Sequence, residues 1–374
     1  MNLMNSFSTL NIEKRLLTEK KQQTTKKIEY IREYILPWAL ISAERSDIQS
    51  ISFIDCMCNA GVYRDGDCCT AIEVLLTFDS LCRQYPQKDF CVFFNDIDAT
   101  KIGILKMVIS HVLPNPSRNL HYHIENKDVN DYLDLLKDNT PFGGRSIFGY
   151  GRSTILYVDP FDFGTVEIPR VSAILEKHYC ELIFNFFLSD YIRNIQRDNG
   201  RISKCLGGRT FSTKDELIGF VQSQLRVGKI RYSFAYQFKT KNNVELYQIV
   251  FATPNIKGLE VLKDALWKVF NGAQYHRNRL LSGQLSLFSE EDDMLQSLSI
   301  YASEARQLLG MKFSGQTVSY EDIKVYLIEN TMLKETHIIK NVLSPMISNG
   351  LMRKKGRVKA NNYKKDLYLI LGDG

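Results

Sequence analysis

From Ile51 onward the chain alternates short apolar runs with helical patterns, and this alternation constrains the fold more than any other feature. The runs are ISFIDC (51–56), DFCVFFND (89–96), LHYHIEN (120–126), STILYVDP (153–160) and CELIFNFFLS (180–189). Between them lie the helical patterns CTAIEVLLTFDSLCRQY, ATKIGILKMVISHVL, VNDYLDLLKD and VEIPRVSAILEKH. Strands apolar on both faces and separated by helices predict a parallel sheet covered by helices. A further helix, ELIGFVQSQLRV, precedes KIRYSFAYQFKT and VELYQIVFATP, which alternate polar and apolar and meet at the turn KNN, as an antiparallel hairpin does. LEVLKDALWKVFNGA closes the region as an amphipathic helix. The expected class is α/β: a Rossmann-like sheet with an antiparallel C-terminal hairpin.

A chain of 374 residues has room for two domains. The expected division is a basic arm and N-terminal helix over 1–48, the α/β domain over 49–275, a polar linker over 276–290 and a small domain over 291–374. In the N-terminal helix Ile28, Ile31, Ile35 and Trp38 form one apolar stripe flanked by Tyr30 and Tyr34, and Lys20, Lys21, Lys26 and Lys27 read as a solvated face that also suits phosphate. The last domain reads as three helices, with TVSY between the first two, and then two strands around a polar tip, a winged-helix outline. Thr336 and His337 open its third helix, where base contact competes with ordinary capping and solvent exposure.

Charge follows this division. The formal net charge is +6, and residues 351–374 hold seven basic side chains against two acids, a local balance of +5. Arg353, Lys354, Lys355, Arg357 and Lys359 are therefore the candidate nucleic-acid contacts, for DNA or RNA. Winged helices also bind proteins, so a protein partner is the competing reading. A hydrophobic content of 44% excludes global disorder. The apolar stretch Ile35–Ala43 is about half of a membrane span, so no membrane is expected. The opening MNLMNSFSTLNIEKR lacks the pattern of a secretory signal, which points to the cytoplasm. In that reducing compartment the eight cysteines, all at or before Cys205, read as small buried apolar residues rather than disulfides. Cys56, Cys58, Cys68 and Cys69 have a spacing unlike a standard zinc pattern, and no metal is assigned. His111, His121, His123 and His178 receive no role.

Acidic strand ends carry the chemistry. Asp55 closes the first strand before a loop containing Asn59, Gly61, Tyr63 and Gly66; Asp96 and Asp98 follow the second, Asp128 the third and Asp159 the fourth. Open α/β sheets bind ligands at these carboxyl ends. Each Asp alone is more simply a helix cap, whereas the series in this order favours a site.

These residues resemble class I S-adenosylmethionine-dependent methyltransferases, and more narrowly the three-Cys-motif partner family. The resemblance rests on TTKKIEYIREYILPW, Asp55-C-M-C-N-A-Gly61-V-Tyr63, VDPFDFG, LIFNF and YQIVFATPNIKGLEVLKDALWKVF, and covers roughly residues 25–270. It implies S-adenosylmethionine as cofactor, held by Asp55, Asn59, Gly61, Tyr63, Asp96, Asp98 and Asp128. It also implies methyl transfer at Asp159, Pro160 and Phe161, a turn similar to the D-P-P-Y loop of enzymes that methylate amines. There the carboxylate and a backbone carbonyl accept hydrogen bonds from the target amine, and an aromatic ring, here Phe161 or Phe163, stacks on an unpaired base. Asn185 and Phe186 are further substrate candidates, and Arg193 and Arg197 suit phosphate, although a plain solvated helix is the simpler reading of each. Two departures stand out: the family's Phe-Ala-Gly is Met57-Cys58-Asn59, and its Gly-Ser-Pro helix start is Cys69-Thr70-Ala71. Asn tolerates positive φ, so the turn has a substitute for its first glycine. The alternative functions are a non-catalytic nucleic-acid-binding or adaptor protein on a degenerate methyltransferase scaffold, and a zinc or iron–sulfur protein.

Overall fold

The computed structural model describes residues 1–187, 200–239, 245–272, 275–276, 290–355 and 367–371. The expected KNN turn, most of the linker, Arg193, Arg197, Arg357, Lys359, Lys364 and Lys365 lie outside these residues. The chain forms two compact units. The first is Met1–Gly258 with His276–Arg279; the second is Leu259–Tyr275 with Leu280–Gly374.

In the first unit the apolar runs become β1 (Ser50–Asp55), β2 (Asp89–Asn95), β3 (Leu120–Glu125), β4 (Arg152–Val158) and β5 (Glu181–Phe186), all parallel. β6 (Tyr232–Lys239) and β7 (Glu245–Thr253) form the expected antiparallel hairpin, and β7 runs antiparallel to β5. The order is β3-β2-β1-β4-β5-β7-β6, with the two-residue β8 (Tyr275–His276) outside β6. Every residue of β1 and β5 is buried, which explains why those runs are continuous rather than alternating. Each buried Ile, Leu or Phe contributes about 1.5–3 kcal/mol, so this sheet supplies the rigid floor for anything built at its edge. Because β1 neighbours both β2 and β4, the strand order reverses between β1 and β4. A crevice opens at such a switch point.

Helices α1 (Gln22–Glu44), α2 (Thr70–Gln84), α3 (Ala99–Val112), α4 (Val129–Lys137) and α5 (Ile168–Lys177) connect or precede the strands as their periodicity predicts. Two details differ from the sequence expectation. First, Tyr30 and Tyr34 lie within the buried face of α1 with Ile31, Ile35, Trp38 and Ala39, while Ile28 is only half-buried. For Tyr34 the reason is polar: its hydroxyl donates to the buried Glu181 carboxylate, which also accepts from Thr253 Oγ1 at 2.9 Å. Second, residues 1–21 are a strap and not a solvated arm. Leu3, Phe7, Ile12 and Leu17 are buried, and Leu3 N–H donates to Gly66 O at 2.6 Å. Cys68 N–H donates to Met1 O at 3.1 Å, and Lys20 pairs with Asp65 at 3.1 Å and also with Asp67. The strap fastens the loop after β1.

Past the short helix Arg201–Cys205, α6 (Lys214–Leu225) starts with a complete capping box between Thr213 and Glu216, which satisfies two otherwise unpaired N–H groups. The second unit begins inside α7 (Ile256–Phe270) and continues with α8 (Glu290–Phe313), β9 (Thr317–Ser319) and α9 (Tyr320–Asn330). A helical stretch, Glu335–Ser348, with a π segment at Ile338–Leu343, then leads to β10 (Met352–Lys355) and β11 (Leu367–Ile370). The three strands pair antiparallel in the order β10-β11-β9. Polar anchors hold α7 here: Trp267 Nε1 donates to Met332 O at 2.6 Å, and buried Lys324 lies 3.1 Å from Glu260 and 2.9 Å from Glu321. Among the described residues no helix is long and apolar enough to cross a membrane.

Candidate active site

A cleft of about 150 Å³ opens where β1 and β4 end. Asp55, Asn59, Tyr63, Asp159, Pro160 and Phe161 all line it, so six of the sequence-predicted residues, from two segments about a hundred positions apart in the chain, meet at the switch point.

Asp55 is the last residue of β1 and is 2% exposed. Burial pushes its carboxyl up to about 8, and the neighbouring Asp159 and Asp96 push the same way. The Met57 N–H, donating to Oδ1 at 3.2 Å, and Lys27 oppose the shift. The loop that follows is built on left-handed backbone. Asn59 has φ +59°, the conformation that lets it replace a glycine, and its side-chain oxygen accepts from Ala60 N–H at 2.8 Å. Asp96 holds this turn from beneath, its Oδ2 accepting from Asn59 N–H at 2.9 Å. At Gly61, φ is +79° and a Cβ would come within 2.8 Å of Leu105 Cδ1, so only glycine fits. Thr18 of the strap meets the loop from outside: its Oγ1 accepts from Asn59 Nδ2 at 3.1 Å, and its carbonyl accepts from Arg64 N–H at 3.0 Å.

Asp159 follows β4 under a different electrostatic regime. Its Oδ2 accepts from Lys27 Nζ at 2.5 Å and from the Tyr157 hydroxyl at 3.1 Å, and its Oδ1 accepts from Asn185 Nδ2. The β4–β5 register, Val158 opposite Phe184, brings Asn185 alongside. Asn185 Oδ1 is buried without a hydrogen-bond partner. Phe161 is 53% exposed with Lys101 Nζ 4.8 Å from its ring centroid, whereas Phe163 packs edge-on against Phe186 at 5.2 Å. Exposure separates the two candidate rings: Phe161 is available for stacking and Phe163 belongs to the core.

The remaining predicted residues lie elsewhere. Gly61 and Asp96 shape the loop without lining the cleft. Asp98 caps α3, accepting from Thr100 N–H at 2.9 Å, and Asp128 caps α4, accepting from Asn130 N–H at 2.8 Å. Lys27, Thr18 and Tyr157 were not singled out for the cleft by the sequence, where Lys27 is only one of four lysines that read as a solvated face suited to phosphate. All eight cysteines are buried and free, and Cys58 and Cys69 line the cleft. Burial pushes the Cys69 thiol up to about 12, which suppresses its thiolate at neutral pH. Among the described residues no group of three His, Cys, Asp or Glu is arranged to hold a metal ion. His121 and His123 each face an acid that the sequence did not suggest, Asp89 at 3.1 Å and Glu125 at 2.7 Å.

In the second unit Arg353, Lys354 and Lys355 are exposed on β10. His337 does not point outward: it packs edge-on against Trp267, with ring centroids 4.4 Å apart, and burial pulls its pKa down to about 4. Thr336 is exposed.

No family model matches the chain, and no curated protein matches it. Solved structures give weak likenesses. A Legionella pneumophila str. Philadelphia 1 protein of the DUF519 family model is 10% identical, with 65% of this chain and 93% of that chain covered and a TM-score of 0.36. A mutant 16S rRNA (adenine(1408)-N(1))-methyltransferase from Catenulisporales acidiphilia is 10% identical, with coverages of 58% and 89% and a TM-score of 0.30. An O-methyltransferase family protein from Burkholderia thailandensis is 8% identical, with coverages of 67% and 67% and a TM-score of 0.27. Likeness this weak says nothing of mechanism. The strand order and the cleft carry the functional reading.

Proposed function

We propose that the first unit is an S-adenosylmethionine-dependent methyltransferase acting on an amino group of a nucleic-acid base. The carrying observation is that Asp55 with the Asn59 turn and Asp159-Pro160-Phe161 line one cleft at the β1/β4 switch point. The donor set suits the cofactor. A buried carboxyl held near 8 is stabilised in its charged form by a cation, and S-adenosylmethionine carries an ammonium and a sulfonium. Asp55, Asn59 and Tyr63 would hold it, with Gly61 and Asp96 fixing the loop. When bound, the cofactor would supply an electrophilic methyl group to the amine nitrogen, with the sulfur as leaving group and one N–H proton passing to water. Asp159 and the Pro160 carbonyl orient the amine, and Phe161 stacks on the base. Methyl transfer is what the resemblance to class I S-adenosylmethionine-dependent methyltransferases implies, and the amine target follows from the likeness of Asp159-Pro160-Phe161 to the D-P-P-Y loop.

The second unit then serves as a winged-helix-like contact for DNA or RNA through Arg353, Lys354 and Lys355. A second reading, a non-catalytic nucleic-acid-binding or adaptor protein, is favoured by one observation. The cleft, at about 150 Å³, is smaller than the roughly 300 Å³ at which small-molecule sites begin. Titration of the protein with S-adenosylmethionine and S-adenosylhomocysteine, by calorimetry and thermal shift, tests the proposal. Saturable binding of both is expected, and neither heat nor shift at millimolar ligand sinks the enzyme reading.

A further inference from the structure

The carboxylate that the proposed function assigns to the target amine already has donors. A carboxylate offers about four lone-pair positions. Lys27, Tyr157 and Asn185 take three of those on Asp159, which leaves one, on Oδ1. Lys27 is unusual among the three because its ammonium has three N–H donors. Asp159 is the one hydrogen-bond partner found for it among the described residues. Its side chain is 12% exposed and lines the same cleft as Asp159 and Phe161. The reactive end of the cleft thus presents one acceptor and, beside it, a cation with donors in hand. Acceptors alone would suit a simple amine, whose N–H groups the ammonium repels. A group with an N–H donor immediately next to a lone pair matches both partners.

We infer that the Lys27–Asp159 pair reads the amidine edge of a base, an inference that rests on the function proposed above. The exocyclic amine of adenine or cytosine donates to Asp159 Oδ1, and the adjacent ring nitrogen accepts from Lys27. The Watson–Crick edges of guanine and uracil carry N–H at that ring position and set a donor against the lysine. Lys27 is then the residue that selects the base, while Phe161 stacks on any base and selects none.

Deaza analogues test this directly, because 1-deazaadenine and 3-deazacytosine keep the amine and replace the ring nitrogen with C–H. Short single-stranded oligonucleotides carrying parent or deaza base are compared by fluorescence anisotropy in saturating S-adenosylhomocysteine, and by mass spectrometry of methyl transfer from deuterated S-adenosylmethionine. The native protein is expected to prefer the parent base about tenfold to a hundredfold, the usual worth of a hydrogen bond to a charged group. Lys27→Met erases the preference by weakening the parent, and Lys27→Arg, which still donates, restores part of it. Equal handling of parent and deaza bases by the native protein, or no binding of either, overturns the inference while leaving cofactor binding intact. Failure of the cofactor product to bind removes the proposed function and this inference together. If Lys27→Met does not fold, the comparison of bases on the native protein decides alone.

Discussion

Asp55 and Asp159 end neighbouring strands of one sheet and line one cleft, yet their surroundings differ sharply. Asp55 is buried, accepts one backbone N–H from Met57, and keeps its proton to about pH 8. Asp159 is partly exposed and accepts from an ammonium, a phenol and an amide. Among the described residues Asp55 has no direct ion pair and feels Lys27 only at a distance, whereas Asp159 is paired with that lysine. Position on the sheet therefore does not set the role of a strand-end acid; the donors that neighbouring elements bring do.

Breaking the second acid gives the largest effect. On the proposed function Asp159→Ala would remove the acceptor that aims the amine, and loss of positioning of that kind costs at least about a hundredfold in rate. Single-turnover methyl transfer measures it, with cofactor affinity expected within about twofold of native. An unchanged rate takes Asp159 out of the mechanism.

Breaking the first acid changes pH dependence instead. Between about pH 4 and 8 the unfolded chain has lost the Asp55 proton while the folded protein keeps it, so native stability falls as pH rises through that window. A cation binds the ionised carboxylate, so affinity for S-adenosylmethionine should rise about tenfold per pH unit below 8 and level off above it. Asp55→Asn should flatten both curves. Calorimetric titrations at pH 6, 7 and 8 separate the outcomes, and a native affinity that does not change with pH rules out Asp55 as the cation's partner.

Much of this arrangement was legible in the sequence because it is local. The periods of two and 3.6 located strands and helices to within a few residues, and Asn59 could be assigned a left-handed turn from its residue type alone. Capping by Asp98 and Asp128 is also local, and it was the simpler reading of each. What the sequence hid depends on distance along the chain. The Lys27–Asp159 pair joins residues 132 apart, and a lysine in a run of lysines looks solvated until its partner is known. The strap was hidden for another reason. Leu3, Phe7, Ile12 and Leu17 are buried but spaced by four and five residues, a pattern that matches neither helix nor strand, and the strap is fastened to the loop after β1 by backbone hydrogen bonds.

The smallest effect expected lies outside the cleft, and it follows from the same comparison. Along the cleft Glu19 and Asp159 balance Lys21 and Lys27, while Asp55 keeps its proton at neutral pH and the cysteines and tyrosines are uncharged, so the cleft has no net attraction for a polyanion. If the substrate is a nucleic acid, that attraction must come from elsewhere, and the exposed Arg353, Lys354 and Lys355 on β10 are the available source. A phosphate contact releases counterions, so affinity falls with salt at a slope close to 0.9 per contact. Lys354→Ala should therefore lower the slope of log affinity against log salt by about 1 and weaken binding about fivefold near physiological salt. Binding of S-adenosylhomocysteine in the cleft should not change. An unaltered slope would instead make β10 a surface for a protein, and would leave the cleft to recognise its base without electrostatic help.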